Sequence, residues 1–202
     1  MAKALLVLPF LAAPFLAPKV VDFDLKDPKG VNALTFHLDG GLEPFAGTAN
    51  EITGSVSLDL DEPAKSSGKV VVAAKSVTMP LPAMSDNMQG EFCLDTDNHP
   101  WIVFLLKSLK NVKKSGETIT ATAVGDFTLR GVTKTIEVPV KAVRYVDGST
   151  ERTGGTVKGD LLRVTTEFTI KRLDYGVGKT LSPALCSDEV TVRMAIAGTQ
   201  IP

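Results

Sequence analysis

The sequence predicts an all-β fold, and three observations carry that prediction. Val, Thr and Ile supply 49 of the 202 residues, and side chains branched at Cβ suit a pleated sheet better than a helix. Glycine and proline add 29 more, as expected where many short strands are joined by turns. Eight or nine short segments alternate apolar and polar residues with a period of two, the repeat of a strand with one buried face. The length suits one domain with trimmings, and 44% apolar residues can build a real core.

In chain order, the first strand reads Leu34-Thr35-Phe36-His37-Leu38, with 34, 36 and 38 facing one way. Ile52 to Leu60 repeats the pattern with 52, 56, 58 and 60 inward, and Gly54 falls in the same row. Lys69 to Ala74 and Ile102 to Leu106 are denser apolar runs, each of strand length. Thr118 to Ala123 alternates and continues to Leu129; Ile136 to Val140 alternates again. Val164, Phe168 and Ile170 share one face of Leu162 to Lys171, and Val190 to Ile196 closes the series. Ser66-Ser67-Gly68, Lys114-Ser115-Gly116 and Arg130-Gly131 read as compact turns. Connections this short join antiparallel neighbours. One helix is expected near Ala83 to Gln89, after Pro80 and Pro82. Asp147 to Lys158, with Gly148, Gly154 and Gly155, reads as one long flexible hairpin loop. Such strands stack as a sandwich or curl into a barrel. Alternation alone does not distinguish a filled barrel from a hollow one.

A net charge of −1 offers nothing to a polyanion, so nucleic acid is not an expected partner. The chain opens Met-Ala-Lys and runs apolar from Ala4 to Ala17. That run is short of the ~20 residues that cross a bilayer, and no other segment approaches that length, so no transmembrane anchor is expected. A charged start and an apolar run fit the first two parts of a secretory signal. The expected organisation is therefore 1–17 as signal peptide or attached apolar arm, and 22–200 as one β domain. Export would permit a disulfide between Cys93 and Cys186, but the sequence does not show that they meet. These two and His37 and His99 are too scattered for a zinc site.

No phosphate-binding glycine loop and no nucleophile elbow is present. His37 falls at an outward strand position, and His99 sits in the turn-like Asp97-Asn98-His99-Pro100. Asp59 and Asp61 share a strand face, where paired acids are usually just solvated. No catalytic residue is assigned, and no cofactor or metal is called for.

Three stretches carry a resemblance. They are Asp86-Asn87-Met88-Gln89-Gly90-Glu91-Phe92 with His99-Pro100-Trp101-Ile102-Val103-Phe104, then Gly125-Asp126-Phe127-Thr128-Leu129-Arg130-Gly131-Val132-Thr133-Lys134, then Phe168-Thr169-Ile170-Lys171-Arg172-Leu173-Asp174-Tyr175-Gly176. In this order they resemble the YceI-like family of bacterial lipid- or polyisoprenoid-binding proteins, over roughly residues 22 to 198. The resemblance implies a single extended eight-stranded antiparallel barrel, lipocalin-like, with a short helix near one rim and an apolar tunnel for a polyisoprenoid or other amphiphilic lipid. It also implies a periplasmic or secreted location and pairing into a homodimer. Met84-Ser85 departs from the Arg-Asp pair common before the family's helix, and Cys93 replaces a common aromatic.

A polyprenyl chain has no hydrogen-bonding groups along its length, so only apolar area removed from water can hold it, at ~25 cal/mol per Å². The alternating positions supply a ligand-binding stripe: Leu34, Phe36, Ile52, Val56, Ile102, Phe104, Phe127, Leu129, Phe168 and Ile170. Met79, Met84 and Met88, beside or within the predicted helix, would adapt to varied chains, and Phe92 follows in the family motif. Gly54 and Ala121 would leave room that a packed core fills. The expected function is non-catalytic binding, transport or sequestration of a hydrophobic molecule. The alternatives are an extracytoplasmic stress-response or interaction module with a filled barrel, and an enzyme acting on an isoprenoid lipid.

Overall fold

The computed structural model describes residues 19–42 and 44–202; the leader-like run 1–17 lies outside the described residues. The described residues form one sheet of ten strands: β1 Val20–Asp24, β2 Ala33–Asp39, β3 Pro44–Ala49, β4 Ile52–Asp59, β5 Ser67–Ala73, β6 Trp101–Ser115, β7 Thr118–Leu129, β8 Val132–Tyr145, β9 Leu161–Lys171 and β10 Glu189–Gln200. β1 and β2 both pair with β10, Phe23 opposite Gln200 and Leu34 opposite Met194. β4 pairs with β1, and β3 with β2. Each couple is thus one interrupted strand. Counted that way, eight antiparallel strands run in nearest-neighbour order and close on themselves. Closure pairs most of the edges that another chain could otherwise use.

The interruption after β1 is built, not slack. Asn32 takes over the ladder there: its amide donates to the carbonyls of Leu25 and Ala197, and its oxygen accepts the Ala197 N–H. Asp27 accepts the N–H groups of Lys29 and Val31 and holds Arg152 through both carboxylate oxygens, at 2.7 and 2.9 Å. Arg152 ends a helix, α2, over Gly148–Arg152. The segment 147–158 is therefore not a featureless flexible loop. Ser149 is fully buried and donates to the Asp160 carbonyl, and the Asp160 carboxylate holds Arg144 and the Asp147 N–H.

Other expectations also need adjusting. β1 and β3 were not expected, and the barrel begins at Val20 rather than residue 22. Ser66-Ser67-Gly68 is not a turn: β5 already starts at Ser67. The chain reverses earlier, at a 3-10 turn over Pro63–Lys65. Asp59 closes that reversal by accepting the N–H groups of Asp61 and Glu62; it is buried, not a solvated partner of Asp61. The expected helix is present as α1, Pro82–Gln89, with proline in its first turn where no N–H is needed. Arg130 and Gly131 both have positive φ between Leu129 and Val132, the two-residue turn that matches strand twist.

Two features shape the wall. β6 carries irregularities between Leu106 and Ser108 and between Lys110 and Lys113, which shift its inward positions to Leu109 and Val112. β8 pairs with β9 only from Val140 to Tyr145. Pro139, which has no N–H to donate, stands where the ladder stops; the Thr166 hydroxyl caps its carbonyl at 2.7 Å. Beyond that point Phe168 meets Phe127 edge-on at 6.1 Å, and Tyr175 meets the same ring at 5.5 Å.

Candidate functional site

The inward faces do not meet. They enclose a cavity of about 280 Å³, near the lower end of the ~300–1,000 Å³ usual for small-molecule sites. The barrel is hollow, which decides against the filled alternative. On β7, Ile119, Ala121, Ala123, Phe127 and Leu129 all border it. Ten residue steps at ~3.4 Å with a tilt near 40° give a length of about 26 Å. The void is long and slim.

Its two ends differ. At one end Val21, Phe23, Leu58, Leu60, Ile119 and Leu162 pack into a plug, and the Lys114 ammonium reaches across to the Leu60 carbonyl. At the other end the lining passes from strands to loops: Met88 on α1, Cys93 and Leu94 after it, and Val177, Leu181 and Cys186 from the β9–β10 connection. These form a cap. Arg172, at 3% exposure, organises it. Its guanidinium donates to the carbonyls of Ser187, Val177, Gly178, Leu181 and Cys186, so all five N–H donors are used. Arg172 shapes the loop and has no donor left for a head group. Asp174 pairs instead with Lys134, at 3.1 Å.

The wall offers a ligand almost nothing polar. Among the described residues, Ser66, Lys69, Thr166 and Arg172 are the lining residues with hydroxyl or charged side chains. Ser66 accepts the Asp59 N–H, Thr166 holds Pro139, Arg172 holds the cap, and Lys69 is exposed on an outward strand position. Burial pushes the Cys93 and Cys186 thiols above their ordinary ionisation range, so they too face the lumen uncharged. His37 is exposed, and His99 lies beside Asp95 in its loop, with Nε2 at 3.8 Å from the carboxylate. Among the described residues no group of acidic, histidine or cysteine side chains could hold a metal ion, and no helix is long and apolar enough to cross a membrane.

Ten of the fourteen residues expected from sequence border the void: Leu34, Phe36, Val56, Met88, Ile102, Phe104, Phe127, Leu129, Phe168 and Ile170. Four do not, and one of them, Met84 on α1, packs against the core cluster instead. Phe92 is 46% exposed on the outside of the cap, because the turn after α1 sends Cys93 and Leu94 inward instead. Ile52 and Met79 are buried but packed against protein within the core cluster, away from the void. Ala121 borders the void as expected; Gly54 does not. Gly54 serves a backbone approach: at φ +133°, a Cβ there would stand 2.0 Å from the Lys69 carbonyl oxygen. Gly125, not singled out from sequence, makes room for a lining ring, since its Cβ would meet Phe104 at 2.6 Å. Leu94, Val177, Leu181 and Cys186 of the cap also escaped prediction, because loops carry no periodicity.

Residues 27–197 match the YceI-like domain family. Protein YceI of Shigella flexneri is 30% identical over 205 residues, covering 99% of each chain, and Protein YceI of Escherichia coli O157:H7 matches to the same extent. Among solved structures, BcnA of Burkholderia cenocepacia superposes with a TM-score of 0.66 at 18% identity, over 83% of this chain and 96% of its own. A polyisoprenoid binding domain from Saccharophagus degradans, implicated in plant cell wall breakdown, gives 0.64 at 12% identity, over 91% and 100%. At these identities the structural likenesses speak for the fold.

Proposed function

The chain belongs to the YceI-like family, and from that premise and the character of its lumen we propose that it binds a slim apolar chain molecule, a polyisoprenoid or similar lipid, without altering it chemically. One observation carries the reading: the three inward side chains along the lumen that bear oxygen or nitrogen, Ser66, Thr166 and Arg172, each already hydrogen-bond to protein, and the rest of the wall is apolar or thiol. At ~0.8 kcal/mol per buried methylene, ten such groups offer roughly 8 kcal/mol before the costs of ordering. That suffices for binding without any polar anchor. The polyisoprenoid-binding domain of Saccharophagus degradans with the same fold supports the ligand class.

The residues proposed to touch the ligand are the ten expected ones that border the void, joined by Ala121, Ala123 and Met194. We place the protein in the periplasm or outside the cell; the leader-like run from Ala4 to Ala17 supports that reading. Native mass spectrometry of protein purified without detergent tests the ligand class. A bound species of defined mass that is extractable into organic solvent is the expected result. A guest rich in charged or hydroxyl groups would overturn the proposal.

A further inference from the structure

The cap over the lumen has two halves that come from distant parts of the chain. One is the turn after α1, residues 90–96; the other is the β9–β10 connection, residues 176–188. Two polar contacts join them. The Gly178 N–H donates to the Phe92 carbonyl at 3.1 Å. Arg130 donates to both halves, to the Glu91 carbonyl at 2.8 Å and the Gly176 carbonyl at 2.7 Å. Each half also carries one cysteine. Cys93 follows Phe92 directly, and Cys186 lies where its own carbonyl accepts from Arg172. Both are buried, both border the same void, and neither is bonded.

We propose that Cys93 and Cys186 are a disulfide-forming pair that locks the two halves of the cap together over the lumen. A bond there would tie by covalent means the same two segments that Gly178 and Arg130 already hold. The oxidant is a small-molecule disulfide. One protein thiolate attacks it and expels one thiol, leaving a mixed disulfide; the second protein thiolate attacks the protein-bound sulfur and expels the other. The two protein thiol protons end on the two expelled thiols, and the small disulfide is reduced as the pair is oxidised. The lock acts on whatever enters the lumen, so its consequence rests on the proposed lipid binding, but the bond itself does not.

The test uses the full chain, reduced and then incubated with glutathione disulfide. Intact mass should fall by two hydrogens, with a proteolytic fragment linking Cys93 to Cys186. Hydrogen exchange at the Val177 and Gly178 amides should slow at least tenfold on oxidation. Dissociation of a fluorescent long-chain fatty acid should slow by a similar factor, and Cys93→Ala or Cys186→Ala should abolish both changes. Stable glutathione adducts on separate cysteines would show that the sulfurs do not meet. A closed bond that leaves cap exchange unchanged would refute the lock. Failure of the fatty acid to bind either form would count against the lipid reading, while mass and exchange still decide the proposal.

Discussion

Ala123→Phe separates a hollow barrel from a packed one, because the two predict opposite signs. Ala123 faces inward on β7, opposite Leu109 on β6 and Val138 on β8, and all three border the void. A phenyl group there projects into the 280 Å³ cavity near its mid-length. In a packed core the extra atoms would force strain and cost roughly 1–3 kcal/mol. In a void they gain contacts, so urea unfolding should show unchanged or higher stability. A chain ligand, however, would lose the stretch of lumen between Ala123 and the plug. Excluding about seven methylenes at ~0.8 kcal/mol each removes roughly 5–6 kcal/mol, or about 10⁴-fold in affinity. Titration with a long fluorescent fatty acid reads the second effect, and a short one should bind nearly as before. Lower stability with unaltered long-chain binding would refute the reasoning.

Four further outcomes follow from named contacts. Asp27 is held near pKa 2 by Arg152 and two backbone N–H groups, despite burial acting the other way. A carboxylate depressed on folding stabilises above its unfolded pKa near 3.8, and that contribution of about 2 kcal/mol drains away as pH falls toward 2; Asp27→Asn should lower stability at pH 7 and flatten the acid limb of the urea profile. Arg172→Met leaves five carbonyls without their donor, so it should cost about 3 kcal/mol or more and speed amide exchange across 176–188. Gly54→Ala would press a methyl onto the Lys69 carbonyl and should destabilise by roughly 2 kcal/mol or more, seen as a lower thermal midpoint. Phe92→Ser, on the outer surface of the cap, should change stability by less than about 0.5 kcal/mol and leave fatty-acid affinity within a factor of two.

The strands were legible where one face is buried and the other wet. β7 alternates without a break from Thr118 to Leu129, and every inward residue expected there borders the void. Legibility failed where alternation fails for a physical reason. β1 follows closely on an apolar run, so its five residues do not stand out. β3 reads Pro44-Phe45-Ala46-Gly47-Thr48-Ala49, too small and too glycine-like for strand patterning. The shifted register of β6 hands the lining to Leu109 instead of the position simple alternation selects. The cap is held by Arg172 through hydrogen bonds to loop carbonyls, and nothing in a one-dimensional pattern marks an arginine as buried. Ile52 and Met79 illustrate the converse: an apolar residue on the inner side is equally well explained as packing or as lining, and only the three-dimensional fold separates the two.

The claim beneath all of this is that greasy space exists inside the barrel. Xenon settles into apolar cavities of this kind, so a crystal of lipid-extracted protein under xenon pressure interrogates it directly. Xenon density is expected inside the ring of strands, between Ala123 on β7 and Met194 on β10. Density for hydrogen-bonded waters at that position, or side chains meeting across it with no xenon bound, would contradict it.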